Sequence, residues 1–303
     1  MSQPSATRFW TLQRKAAPYV FISPFIIVFA TFMVYPLIQS ILFAFQASSG
    51  PKSTAYVGLD NFRFMLRDPD FWTAVRNTAT FAFFSVFVQL PLSLGLALLL
   101  NARWVRARSF FRLAFFSPHL VGQVFVAVLF SLIFIPRFGL LNRAIHAVLG
   151  MGLETKWLMD PSLVMPALVL TALWMYVGFN MIYFLAALQA VDPQLYEAAQ
   201  VDGANRWKQF IHVTFPGIKP IAVFIMIMSA IGSFQLFELP YVLLRQTPGP
   251  NQAGLTIVMY LFSTGFSTGD LGYASAIGWA LVLIILTISL AQAKVMGLWK
   301  RDA

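Results

Sequence analysis

An all-α membrane protein with six transmembrane helices is the fold class this sequence predicts, and two observations carry the prediction. The first is composition. Of 303 residues, 59% are apolar and 11% charged, and the mean hydropathy is +0.73. Ordinary soluble domains carry about 25% charged residues. A chain this poor in charge cannot dress the surface of a globule, so most of it must face lipid. The second is the placement of Asp, Glu, Lys and Arg, which are absent between Lys15 and Lys52, Arg76 and Arg103, Arg112 and Arg137, Asp160 and Asp192, Lys219 and Glu238, and Asp270 and Lys294. Each window holds the ~20 apolar residues a membrane helix needs. The spans are therefore expected at about 19–46, 77–100, 112–135, 162–190, 219–243 and 271–294.

The first span is expected to stay as an anchor, because its apolar run from Ala16 to Ala47 is far longer than a signal-peptide core. Residues 1–18 read as a cytoplasmic tail and 299–303 as another, with one six-span domain over 19–298. After span one, Asp60 can cap a short outer helix that Asp68-Pro69 ends, since the residue before proline is pushed out of the helical region. After span three, residues 140–149 place Leu141, Ile145, Val148 and Leu149 on one face, with Asn142, Arg143 and His146 off it. That pattern suits a short helix lying on the membrane surface or packed on the bundle. A seventh apolar stretch, Leu255–Phe262, is too short to cross and is surrounded by Gly, Pro, Ser and Thr. With an even number of spans both ends share one side, and that side holds the majority of the 21 Lys and Arg, which places both termini in the cytoplasm.

Composition also excludes function classes. There is no cysteine, hence no disulfide framework, thiol catalysis or Cys-based zinc site. The three histidines, His119, His146 and His212, are far apart in sequence, and no metal site is expected. The net charge of +10 fits loops facing an anionic cytoplasmic leaflet better than a nucleic-acid partner. No GxxxxGK[ST] phosphate loop occurs, so the chain is not expected to bind ATP.

The inner loop 191–220 is the unusual one. Asp192 can cap a helix with Pro193 at its first position, Leu195–Val201 can make two turns, and Asp202-Gly203 is a natural stop. A second helix over about 204–213 is expected to end at Pro216-Gly217. The result is a helix–glycine–helix elbow in which small Ala198 and Ala199 lie between Glu197 and Asp202. Small residues let another protein's surface approach closely, while the carboxylates can meet donors on it. A solvated connecting loop is the plain alternative.

The run EAAQVDGANRWKQFIHVTFP resembles the EAA loop of ABC-importer permeases at Glu197, Ala198, Ala199, Asp202, Gly203, Ala204, Phe210 and Pro216. More of the chain is similar to the maltose/glycerol-phosphate-type carbohydrate uptake branch: Tyr56-Val-Gly-Leu-Asp-Asn-Phe62, Asn77-Thr78, Leu100-Asn101, Phe111-Arg112, Ser117-Pro118, Gly139-Leu-Leu-Asn142 and Gly272-Tyr-Ala-Ser-Ala276. The similarity covers about residues 18–300 and departs at Leu244–Pro250, where the family's Thr-x-Gly-Gly-Pro phrase is missing. The resemblance implies a type I ABC-importer permease fold in the plasma (inner) membrane of a bacterium or archaeon. It implies import of a sugar or sugar derivative by alternating access, with no enzyme activity and no cofactor in this chain. It also implies a second permease, two ATPase subunits holding ATP and Mg, and an extracytoplasmic solute-binding protein as partners, beside membrane lipid. In the family the EAA loop is the coupling element, here Glu197, Ala198, Ala199, Asp202 and Gly203, inserted into the ATPase.

Polar residues within spans usually face the bundle interior or a path. Tyr176, Asn180 and Tyr183 fall at i, i+4, i+7 and share a face, which fits either stacking on a sugar or hydrogen bonding between helices. Gln89 lies near mid-bilayer, about 18 Å of helix beyond Asn77, and fits both roles. Ser229, Gly232, Ser233 and Leu236 form a small-residue face suited to tight packing, with Ser229 and Ser233 as path candidates. Glu238 lies about 29 Å of helix from Lys219, which puts it near the outer surface in a vestibule, docking or capping role. The rivals are an ion-coupled secondary transporter, which needs buried ionisable groups mid-bilayer, and a scaffold or membrane enzyme, which needs clustered His, Asp or Glu.

Overall fold

The computed structural model describes residues 5–48, 54–102 and 104–297. The expected tail 299–303 and the first four residues of the expected tail 1–18 lie outside the described residues. The chain forms two compact units, residues 1–65 with 264–279, and residues 66–263 with 280–303.

In the first unit, helix begins at Ser5, inside the expected tail, and the first span runs through to Ala44 with none of its apolar window buried. A two-stranded antiparallel ribbon follows, with Gln46 opposite Tyr56 and Ser48 opposite Thr54. The Asn61 side chain, in the helix Asp60–Arg67, donates to the carbonyls of Ala44 (3.0 Å) and Gln46 (2.9 Å). That helix stops before Pro69, as the sequence indicates.

The second unit carries spans two to five. The second span starts at Pro69 rather than 77 and reaches Asn101; the Asp68 carboxylate caps it by accepting from the Asp70 N–H (3.0 Å). The third span, expected unbroken over 112–135, consists of Arg108–Leu120 and Gln123–Ile133 bent by 98°. Val121 and Gly122 between them are extended, and Pro118 precedes the break. The fourth span, Pro161–Ala190, is apolar all round, as a helix inside a bundle must be. Two apolar cores pack against it. One gathers Val164, Leu168 and Met175 with Val126, Phe130 and Leu239; the other gathers Met181, Phe184 and Leu188 with Leu90, Ile218 and Ile225. Residues 176–180 fall between the two.

The fifth span departs most from expectation. It runs from Arg206 to Phe234, so the predicted stop at Pro216-Gly217 is not made and the predicted second elbow helix is the foot of the span itself. Proline should break a helix because it lacks an N–H and its ring meets the carbonyl four residues back. Here the wider π-turn Phe210–Thr214 precedes Pro216 and shifts that carbonyl out of the way. The same device stands before Pro36 (π-turn Ala30–Val34) and before Pro91 (π-turn Ser85–Gln89). At its other end span five stops at Phe234, nine residues short of the expected 243, and a separate short helix, Glu238–Leu243, follows.

The helix Leu140–Leu149 forms where expected, with a different face inward. Asn142 is fully buried, accepting from Trp157 Nε1 (2.7 Å) and donating to the Thr155 carbonyl (2.8 Å), while Val148 is 81% exposed. Its amide answers the backbone and indole groups of the following loop, a need no periodicity records. The last apolar stretch makes a helix Ile257–Ser267, too short to cross. The sixth span, Leu271–Val295, matches its expected bounds and passes from one unit into the other after Trp279.

Candidate functional site

Between the two apolar cores lies a cavity of about 520 Å³, inside the second unit. The π-turn of span two contributes Ser85 and Gln89, and Phe81 lies one turn earlier. The break in span three contributes Gln123, the first residue after the bend. Span four contributes Tyr176, Phe179 and Asn180. Span five and the break after it contribute Met228, Ser229, Gly232, Ser233, Gln235, Leu236, Phe237 and Glu238. Three of the four helices are irregular where they meet the cavity. Irregular backbone at that depth is tolerated where it is buried in protein or lines a water-filled space.

Of the residues the sequence singles out, Gln89, Tyr176, Asn180, Ser229 and Ser233 are brought together here. Tyr183 is not. It lies edge-on to Phe179 (centroids 5.1 Å apart) and near Phe224 of span five (6.4 Å), beyond the cavity. The stripe continues along the helix while the cavity spans little more than one turn. Tyr176 is held by Gln123, whose Nε2 donates to the phenol oxygen (2.6 Å). Ser233 donates its hydroxyl to the Ser229 carbonyl (2.7 Å). Asn180 and Gln89 are both buried. Glu238, expected near the outer surface, lines the cavity because the chain turns at Gln235–Phe237 instead of continuing straight.

Sequence reasoning missed Gln123, Ser85 and Gln235. Gln123 carried a usable signal, as an amide in the middle of a charge-free window. Gln235 carried none, because its role depends on where span five ends. Aromatic rings beside amides, hydroxyls and one carboxylate suit a solute with apolar C–H faces and many hydroxyls: the rings pack on the faces, and the amides both donate and accept. The volume suits a ligand of a few hundred Å³.

At the C-terminal end of span four the first elbow helix and its glycine stop form as read, while the second elbow helix is the foot of span five. Asp192 accepts from the Gln194 N–H (2.9 Å) and opens the helix Pro193–Val201. Gly203 has φ +74°, where a side chain is strained, and the turn closes through Ala204 N–H to the Ala199 carbonyl (2.8 Å). Asn205 then caps the foot of span five by accepting from the Lys208 N–H (2.9 Å). The hydroxyls of Tyr196 and Thr214 (3.0 Å) tie the elbow helix to that foot. Glu197, Ala198, Asp202 and Gly203 are exposed and Ala199 is half-buried. The elbow is thus an exposed knuckle, hydrogen-bonded to itself and to span five.

Comparison with known proteins agrees with this architecture. A family model described as binding-protein-dependent transport system inner membrane component matches residues 9–295. The chain is 39% identical over 289 residues to the arabinooligosaccharides transport system permease protein AraP of Bacillus subtilis (strain 168), covering 95% of this chain and 91% of the relative. It is 32% identical over 275 residues to the lactose transport system permease protein LacF of Rhizobium radiobacter, covering 90% and 92%. Its fold is similar to a crystal structure of a bacterial ABC transporter involved in the import of the acidic polysaccharide alginate, with TM-score 0.82 and 26% identity over 97% of this chain and 100% of that one. The chain belongs to the family of binding-protein-dependent transport system inner membrane components.

Proposed function

We propose that this permease imports a sugar or sugar derivative through the cavity between its two cores, driven by ATPase subunits that dock on the elbow. The cavity carries the reading: polar side chains from four spans converge on it between the two apolar cores. Sugar as cargo is supported by the relatives, whose names cite arabinooligosaccharides and lactose, and by the structural neighbour's alginate. These include neutral and acidic glycans alike, so the charge of this cavity becomes the discriminating property.

ATP and Mg reside on two ATPase partners, a second permease completes the path, and a solute-binding protein delivers the sugar outside. The elbow meets the ATPase through Glu197, Ala198, Ala199, Asp202 and Gly203. Its bonds to the foot of span five would carry movement of the ATPase into the helix that lines the cavity with Ser229 and Ser233. Both termini are cytoplasmic, by the Lys/Arg bias.

The test is Ala199→Trp and Gly203→Val in the transporter reconstituted in vesicles, with ATP hydrolysis and uptake measured side by side. A Cβ at Gly203 meets nothing within 4 Å, so valine there strains only the turn, by about 1–2 kcal/mol. Uptake should be lost while the permease stays folded in the membrane, with ATP hydrolysis either lost or uncoupled. Wild-type uptake and hydrolysis in both variants would remove the elbow from the mechanism.

A further inference from the structure

We infer that the cavity admits uncharged or cationic glycans and turns away uronate-bearing ones, because Glu238 gives it one fixed carboxylate and, among the described residues, no Lys, Arg or His lines it. The inference rests on the reading of the cavity as the solute path and names the class of sugar that path accepts.

Glu238 begins the short helix after span five, and its side chain is exposed. No ion pair holds it among the described residues, where the pairs are Arg63–Asp60 and Arg137–Glu154. His119 packs behind the lining, its ring stacked on Phe179 with centroids 3.9 Å apart, and is not part of the cavity wall. Recognition of a sugar carboxylate calls for a cation, best a guanidinium fork that meets both oxygens. The lining offers instead amide and hydroxyl groups and a second negative charge. Low-dielectric walls focus that charge's field into the space they enclose. A carboxylate is also a strong acceptor for sugar hydroxyls, so the group that repels a uronate holds a neutral sugar by charge-assisted hydrogen bonds.

The chain has no cysteine, which makes the field directly measurable. Gly232 lines the cavity, is exposed, and a Cβ built there meets nothing within 4 Å, so Gly232→Cys sets a reporter in the cavity with room at its Cβ. In the assembled transporter in vesicles, this cysteine is reacted with a cationic trimethylammonium-ethyl and an anionic sulfonatoethyl thiosulfonate, and modification is followed as the mass shift of this chain. The cation-to-anion rate ratio should be about tenfold higher with Glu238 in place than with Glu238→Gln. Glu238→Asp, which keeps the charge, should keep the high ratio. Two reactive reagents with a ratio that Glu238→Gln leaves unchanged would overturn the charge inference and leave the path reading standing. If neither reagent reaches the cysteine in any state of the transport cycle, the path reading fails, and the inference with it.

Discussion

Gly178 shows how one missing side chain sets a helix–helix distance. A Cβ at this position would overlap the carbonyl of Phe115 in the first half of span three, so the two backbones touch there. The contact lies between Tyr176 and Asn180 and fixes the wall they share with Phe179. Gly178→Ala should therefore cost about 1–3 kcal/mol by overpacking, read as a lower thermal midpoint of the purified protein. An unchanged midpoint would mean that span four and the first half of span three move apart freely. At the elbow Gly203 is special for a different reason, its left-handed φ, and that was legible: Asp-Gly after two helical turns announces the conformation. Gly178 was not legible, because its requirement comes from a residue 63 positions earlier in the chain. Asn142 is the same case among polar residues; its partners Thr155 and Trp157 lie on a loop whose path the sequence does not state.

Among the elements, the helix start at Pro193 was readable from its cap, Asp192, whereas Asp68 before Pro69 was read as a helix end and yet caps span two. Asp160 before Pro161 is a cap of the same kind that the sequence reading did not single out. Asp160 accepts from the Ser162 hydroxyl (2.7 Å) and backbone N–H (2.9 Å), and these bonds hold its carboxyl below the ordinary carboxylate range. A pKa lowered by folding stabilises the fold above the unfolded carboxyl's value, and that contribution disappears as pH falls through the lowered one. The thermal midpoint of Asp160→Ala should thus lie below wild type near neutral pH. The gap should narrow once pH drops below the ordinary value of 3.8. A gap independent of pH would assign the cap to shape rather than charge. Helix ends set by proline misled in the opposite way. Pro216-Gly217 reads as a stop, yet the π-turn before it absorbs the missing hydrogen bond and the span runs on. The breaks at Val121-Gly122 and Gln235–Phe237 were invisible because apolar windows show where a chain can cross, not where it bends.

For the whole molecule, the orientation expected from Lys and Arg is a measurable property. Ser109, at the start of span three, and Met151, beyond the helix Leu140–Leu149, are both exposed and on opposite sides of that span in sequence. In intact cells an impermeant maleimide should label Met151→Cys, while Ser109→Cys should react only after permeabilisation. The reverse pattern would invert the topology and place the elbow outside, where no ATPase could reach it.

Composition and charge placement by themselves determined that this chain lives in lipid, how many times it can cross, and which loop forms the elbow, because each follows from local physics: transfer of apolar side chains, capping, and the freedom of glycine. They also marked five of the residues that meet in the cavity: Gln89, Tyr176, Asn180, Ser229 and Ser233. Only the tertiary structure decided that Tyr183 stays out while Gln123, Gln235 and Glu238 come in. Those placements depend on two breaks in helices and one backbone contact, at Gly178, each the product of packing between segments distant in sequence. Helical period tells which residues share a face, but which stretch of that face meets a cavity is set by the helices around it.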